Sequence, residues 1–431
     1  MITTLWNNLS FDEIHTGKYF GRSLKTDHPS AVLATALSLG YAARQKPKGH
    51  LQYFGSHQPA EGEVETLDKF PTSEDFYEIY VAPRIPVKFR QVLTPQNMPA
   101  YGLWTDAYLN TTFAREIMYA EYGKKEDMDN SYRYYRMEDF IYDYNFKDIY
   151  MFQDVPKSMQ GNVSIPFCLR CTFERVLQRV ILWMSSGGIQ TVLHKDVFDS
   201  FYCLLDGTKD FYLVDSSQSG LVEKRHWNKA GAYSEVDVEQ VDMFRFPEFQ
   251  SLPWWKSSLK PGDCIYVPKE WYHHTRSGNH RTLAISYRFL HPPYFNVSGC
   301  PRVQSIDRVR NLSSVTLLTK LETARMNMLQ KFAGQDEVLA SDIETLIKAS
   351  PRQDGDYVRF FRLVDRNRDR VLSWEELYSF DMKTAMKVAN SLFGAERRVK
   401  EKPSYKVQLS FASPKIEKMY QQMHGHIHDE L

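Results

Sequence analysis

The sequence is short of cysteine, of long apolar runs and of excess charge. Five cysteines in 431 residues are too few and too scattered for a disulfide framework. No segment approaches the ~18 continuous apolar residues that a membrane-spanning helix needs. Lys and Arg total 54 against 53 Asp and Glu, a formal net charge of +1, which leaves no broad electrostatic footprint for nucleic acid. The densest basic stretch, 397–406, is interrupted by Glu401 and reads as a solvated surface segment. What is present is an ordinary globular balance, 42% hydrophobic and 14% aromatic, long enough for two or three domains with their own cores.

Compartment signals sit near both ends. The chain finishes His428-Asp429-Glu430-Leu431, a tetrapeptide that a retrieval receptor reads as an endoplasmic-reticulum address. Asn8, Asn110, Asn162, Asn296 and Asn311 each begin an Asn-x-Ser/Thr triplet, which adds modest support. The first eight residues carry no signal peptide. The apolar run 31–43, flanked by basic residues, reads either as a late signal segment or as a short buried helix. The expectation is therefore the reticulum lumen, with a cytoplasmic location as the alternative. His424, His426 and His428 read as a receptor-accessible tail rather than a metal site. Cys168 and Cys171 form a Cys-x-x-Cys pair with no second pair to complete a zinc site, so a structural pair is expected.

Texture divides the chain. Residues 1–69 read as an N-terminal segment that ends in a Gly- and Pro-rich connector over 44–70. Residues 70–295 are aromatic-rich, with short runs bounded by turn residues at the spacing of antiparallel strands. Over 315–395 apolar residues recur every three or four positions, as in helices. Residues 396–431 form a tail.

The chemistry concentrates in two segments. In Thr191-Val192-Leu193-His194-Lys195-Asp196 an imidazole and a carboxylate stand two apart, so an extended backbone turns both to one face. Lys260-Pro261-Gly262-Asp263 has type II turn chemistry and leads through Cys264–Val267 to Trp271-Tyr272-His273-His274, where a third ligand is available. Two imidazoles and a carboxylate suit iron with open coordination positions, although a zinc hydrolase accepts the same set. Between the segments, Asp206-Gly207 predicts a two-residue hairpin turn that would put Lys209 on one face with Ser200, Tyr202 and Leu204. A cation among apolar residues calls for an anion, and a dicarboxylate would serve. An unbroken strand from His194 to Leu204 would hold metal and ammonium about 33 Å apart. The chain must turn within 197–200, where Asp199 and Ser200 are suitable.

These residues resemble the JmjC family of iron(II)- and 2-oxoglutarate-dependent oxygenases. The resemblance covers about 70–291 and implies a mainly β fold, a double-stranded β-helix or jelly-roll, cupin-like barrel with flanking helices. It implies iron ligands at His194, Asp196 and His273, and 2-oxoglutarate held at its far carboxylate by Lys209 and Thr191. His273 is preferred to His274 because the family's ligand directly follows the aromatic pair. Ser200 stands where the smaller hydroxylases have Asn. The alternation of small and large residues along 282–286 leaves room for a cosubstrate. The implied activity consumes O2 and 2-oxoglutarate to hydroxylate a C–H bond, with a protein as the expected substrate. Demethylation starts with the same step and stays open, although the missing chromatin-reading modules argue against it.

A second pattern lies over 365–376. Asp365, Asn367, Asp369, Ser373 and Glu376 put oxygen atoms at positions 1, 3, 5, 9 and 12 of a calcium loop, and Val371 offers its carbonyl at position 7. This α-helical region resembles an EF-hand, with Arg370 where the sharp turn calls for Gly. That departure predicts reduced calcium affinity. The region 332–346 is a candidate degenerate partner. The expectation is thus a lumenal JmjC-type protein hydroxylase with a calcium-binding appendage. The rival reading is a catalytically silent cupin-like protein whose working part is the calcium loop.

Overall fold

Aromatic and β-branched residues alternate with small and polar ones through the middle of the chain, and in the computed structural model they form two facing sheets. The structure describes residues 46–123, 125–126, 132–229, 232–295, 300, 309–350, 355–393 and 410–411. The readings at 31–43, 397–406, Asn8, Asn296 and the C-terminal histidines and tetrapeptide lie outside these residues. Among the described residues no helix is long and apolar enough to cross a membrane.

Eight strands build the two walls: β1 (Leu177–Ser185), β2 (His194–Lys195), β3 (Asp199–Asp206), β4 (Lys209–Val214), β5 (Trp255–Leu259), β6 (Cys264–Val267), β7 (Tyr272–Ser277) and β8 (Thr282–Phe289). One wall runs β6-β3-β8-β1 and the other β5-β4-β7-β2. Neighbours pair antiparallel in both. Tyr202, Leu204, Phe211, Leu213, Leu259, Ile265 and Ala284 fill the space between them. This is the curled, mainly β architecture of a jelly-roll or cupin barrel. The first wall continues outward through Ile149–Asp154, Ile117–Tyr122 and Tyr132–Arg136. Its outer face packs on short helices such as Pro99–Leu103 and Met137–Asp143.

Four expectations need correction. The predicted hairpin at Asp206-Gly207 is a crossover: β3 pairs with β6 and β8, while β4 pairs with β5 and β7 in the opposite wall. Gly207, at φ +85°, makes the sharp passage possible. A Cβ there would lie 2.3 Å from the Arg281 carbonyl oxygen. The turn after His194 does fall within 197–200, but at 197–198 and not at Asp199-Ser200, because Asp199 already opens β3. Its buried carboxylate accepts from the Tyr266 hydroxyl at 2.6 Å and the Lys269 amide at 3.0 Å. The segment taken as a connector joins the barrel from 47 onward: Gly62–Glu63 pairs with β5, and Phe54 is buried beside Phe249 and Trp254. Finally, Cys171 bonds to Cys300 and Cys203 to Cys264, leaving Cys168 free and buried. Cys203 and Cys264 are direct partners on β3 and β6, a proximity that sheet pairing creates and chain spacing does not reveal.

After the barrel come α1 (Lys320–Leu329), α2 (Ala340–Ala349), α3 (Tyr357–Val364) and α4 (Trp374–Ser379). The first helix starts later than 315, where Thr319 caps it by accepting from the Glu322 amide. Val338–Leu339 and Val371–Leu372 pair antiparallel, so the stretch proposed as a partner loop does meet the 365–376 loop. Phe360, Phe361, Val364, Leu377 and Phe380 are buried. The helices share one apolar cluster with the outer face of the barrel wall, and the Trp374 ring stacks on Tyr294 at 5.4 Å.

Candidate metal centre

His194 lies on β2 and His273 directly opposite it on β7, so sheet pairing alone brings two imidazoles together. Their ring centres are 4.2 Å apart. Asp196, just beyond the end of β2, adds a carboxylate whose Oδ2 lies 4.0 Å from Nε2 of His273. One ligand atom from each of the three falls within 4.8 Å of the others, and among the described residues no other His, Cys, Asp or Glu group of three or more does so.

Backbone carbonyls set the tautomers. Nδ1 of His194 lies 2.8 Å from the Val192 oxygen, and Nδ1 of His273 lies 3.1 Å from the Trp271 oxygen. A carbonyl only accepts, so each Nδ1 carries the proton and each neutral ring keeps its Nε2 lone pair for a metal. Burial, with the neighbouring His194 ring, pushes His273 down to about 3, so it stays neutral across the physiological range. The donor set, neutral nitrogen with carboxylate oxygen, fits a divalent first-row metal.

The three line a cleft of about 460 Å³, part of it open to solvent. Thr191, Ser200 and Lys209 line it as well. Lys209 is buried, and its ammonium lies 5.0 Å from the centre of the Tyr202 ring and 5.4 Å from that of Trp183. It does not share a face with Ser200, Tyr202 and Leu204 as the hairpin would require, but meets Tyr202 across the barrel from the opposite wall. The Thr191 hydroxyl accepts from the Thr275 amide at 2.9 Å, which leaves its own proton to donate. Ser286 faces the cleft and accepts from the Trp183 indole at 2.8 Å, with Ala284 on the same face of β8. His274 stands outside the group. Its Nδ1 donates to the Thr191 carbonyl at 2.6 Å, and burial pushes it down to about 4.

Sequence reasoning missed Trp183 and Arg288 as lining residues. Arg288 carried a usable signal, since the alternation of 284 and 286 continues to it along β8.

The 365–376 loop is arranged differently. Asp369 accepts from the Val371 amide at 2.8 Å and Asp365 from the Arg370 amide at 3.2 Å. Glu376 takes the amides of Arg366 at 2.8 Å and Ser373 at 3.0 Å. Burial raises the Glu376 pKa, but these bonds outweigh it and hold the carboxyl below its usual range. Oδ1 of Asp365 is buried and accepts no hydrogen bond. Arg370 adopts φ +73°, the left-handed turn the spacing demands, without the Gly that would favour it. The carboxylates of Asp365, Asp369 and Glu376 do not form a group like that of the barrel.

Comparison with known proteins adds the family. The chain belongs to the cupin-like domain family, which matches residues 73–294. Among its relatives, Lysine-specific demethylase 8 of Xenopus tropicalis is 23% identical over 220 residues, 48% of either chain. Jumonji C domain-containing protein 5 of Drosophila melanogaster is 23% identical over 129 residues, 30% of this chain and 32% of its own. The human Bifunctional peptidase and (3S)-lysyl hydroxylase JMJD7 is 23% identical over 117 residues, 22% of this chain and 37% of its own. The match spans about half the length of the first of these relatives. They belong to the JmjC-type oxygenases, a group that uses iron(II) and 2-oxoglutarate, and by name they include both a demethylase and a hydroxylase.

Proposed function

We propose that this chain is an iron(II)- and 2-oxoglutarate-dependent protein hydroxylase. The observation that carries the reading is the convergence of His194, Asp196 and His273, with both imidazoles held by backbone carbonyls in the metal-binding tautomer. Those three residues would hold the iron, and Lys209, with the Thr191 hydroxyl, would take the far carboxylate of 2-oxoglutarate. The bound metal would supply oxygen activation: one atom of O2 enters succinate as CO2 leaves, and the other enters the substrate as hydroxyl. The protein binds and orients the reactants and keeps the inner end of the cleft dry with Trp183, Tyr202 and Phe211. Ser200 would sit beside the cosubstrate without the reach of Asn. A protein substrate fits the named activities of the relatives.

The test is conversion of 2-oxoglutarate to succinate and CO2 by the purified chain. It should require iron(II) and disappear in His194→Ala. Turnover that persists without iron, or in that variant, sinks the reading. Comparison of lumenal proteins for +16 Da shifts, with and without His194, would identify the substrate.

Two further parts belong to the proposal. A lumenal location is supported by the two disulfides, which persist in oxidising compartments, and by the exposed Asn110. Sensitivity of the expressed protein to endoglycosidase tests it, and an Asn110→Gln variant with unchanged mobility would count against it. Weak calcium binding through Asp365, Asn367, Asp369, Val371, Ser373 and Glu376 is supported by the helix-loop-helix geometry and the orphaned Asp365 oxygen.

A further inference from the structure

Arg288 stands where no motif asks for a cation. On β8 it pairs across the sheet with Ser200 of β3, and both line the cleft that holds the three candidate ligands. Its guanidinium carbon lies 4.6 Å from the centre of the Phe198 ring and 5.5 Å from that of Phe152. On its other side β8 pairs it with Arg179 of β1. Arg179 has a carboxylate of its own, Asp154 at 2.8 Å. Arg288 has none among the described residues, and its Nε is buried without a hydrogen-bond partner. Of two arginines paired across the sheet, one holds a carboxylate and the other leaves a place for an anion.

Position says which end of the cleft that place occupies. Lys209 pairs with Ser277, four residues along β7 from His273, or about 13 Å of strand. Arg288 lines the cleft together with His194, Asp196 and His273, and its cross-strand partner Ser200 stands only four residues beyond Asp196. The cleft therefore carries one cation at its inner end and one beside the ligand group.

We propose that Arg288 is a second carboxylate-binding group, acting at the end of the cleft opposite Lys209. The proposal rests on the iron and 2-oxoglutarate reading. Charge supports it. Arg288 brings into the cleft a positive charge that no carboxylate among the described residues offsets, whereas its neighbour Arg179 is paired with Asp154. A planar guanidinium fork beside a short Ser200 suits a carboxylate bound through two parallel hydrogen bonds. That carboxylate is either the one next to the keto group of 2-oxoglutarate or an acidic side chain of the protein substrate. A cationic side chain such as methylated lysine would meet the same charge as repulsion.

The experiment uses the full chain loaded with Mn(II), a redox-inert stand-in for iron(II). Calorimetry gives the Kd of 2-oxoglutarate for the wild type, Arg288→Gln and Arg288→Lys. Paramagnetic broadening of ligand protons by the Mn(II) then reports entry of N-acetyl-aspartyl amide or N-acetyl-lysyl amide into the 2-oxoglutarate complex. If the cosubstrate is the source, Arg288→Gln weakens 2-oxoglutarate at least tenfold and Arg288→Lys recovers part of the loss. If the substrate is the source, 2-oxoglutarate binding holds while the preference for the aspartyl over the lysyl probe falls at least fivefold. Both quantities unchanged within twofold in a folded Arg288→Gln overturns the proposal. Should that variant melt below the assay temperature, Arg288→Lys decides: it keeps the charge but loses the fork, and binding of both ligands equal to wild type overturns the proposal equally. A wild-type chain that does not bind 2-oxoglutarate at all sinks the iron and 2-oxoglutarate reading, and this inference with it, and is recognised before any variant is made.

Discussion

The barrel cleft gathers nitrogen and oxygen donors and the 365–376 loop oxygen donors alone, and they do it in opposite ways. The cleft draws three donors from two strands far apart in sequence, and cross-strand pairing fixes them. Its donors point at one another with lone pairs exposed, because backbone carbonyls hold the other ring nitrogens. The loop places its donors within twelve consecutive residues, and neighbouring amides take up much of its carboxylate capacity. Donors arranged by tertiary structure are preorganised before a metal arrives. Donors arranged by local sequence must converge when it arrives, at an ordering cost.

The largest test of that contrast removes a donor from each. His194→Ala should lower iron-dependent 2-oxoglutarate turnover about a thousandfold or more, as loss of metal stabilisation worth several kcal/mol implies. Asp365→Ala should leave that turnover within twofold. A second test separates the staple from the site. Replacing Cys203 and Cys264 by Ser should lower unfolding stability by about 2–4 kcal/mol, read by denaturant titration. Metal binding under native conditions should persist, because the three donors lie outside the bonded pair of strands.

Lys209→Met comes next, with 2-oxoglutarate binding weakened about ten- to hundredfold, the value of a charge-assisted hydrogen bond. Equal affinities would mean that the ammonium serves only the packing against Tyr202 and Trp183. The smallest effect belongs to the loop. Arg370→Gly relieves a left-handed backbone cost of about 1–2 kcal/mol and should tighten calcium about five- to thirtyfold, read by calorimetry. An unchanged affinity would show that the loop closes around no ion.

Much of the cleft was legible because it is written in short range. His194 and Asp196 stand two apart, His273 follows an aromatic pair, and the pattern of 282–286 announces a wall of small residues. The crossover at Gly207 was not legible, since a Gly-containing two-residue turn reads the same whether the chain returns to its own sheet or passes to the opposite one. The disulfides were hidden for a related reason. Cys203 and Cys264 become neighbours only when β3 and β6 pair, while Cys168 and Cys171, close in sequence, do not bond to each other: Cys171 bonds to Cys300 and Cys168 stays free.

Local chemistry therefore determined the kinds of element, the identity of the donor residues and the conformation of the calcium-type loop, where Arg370 adopts the left-handed turn that its position demands. Only the tertiary structure decided that His194 faces His273, that Lys209 reaches Tyr202 from the opposite wall, and that Arg288 enters the cleft beside Ser200. The physical reason is register. Side chains two apart on one strand share a face whatever the fold, but which faces meet is settled by strands that pair across long stretches of chain.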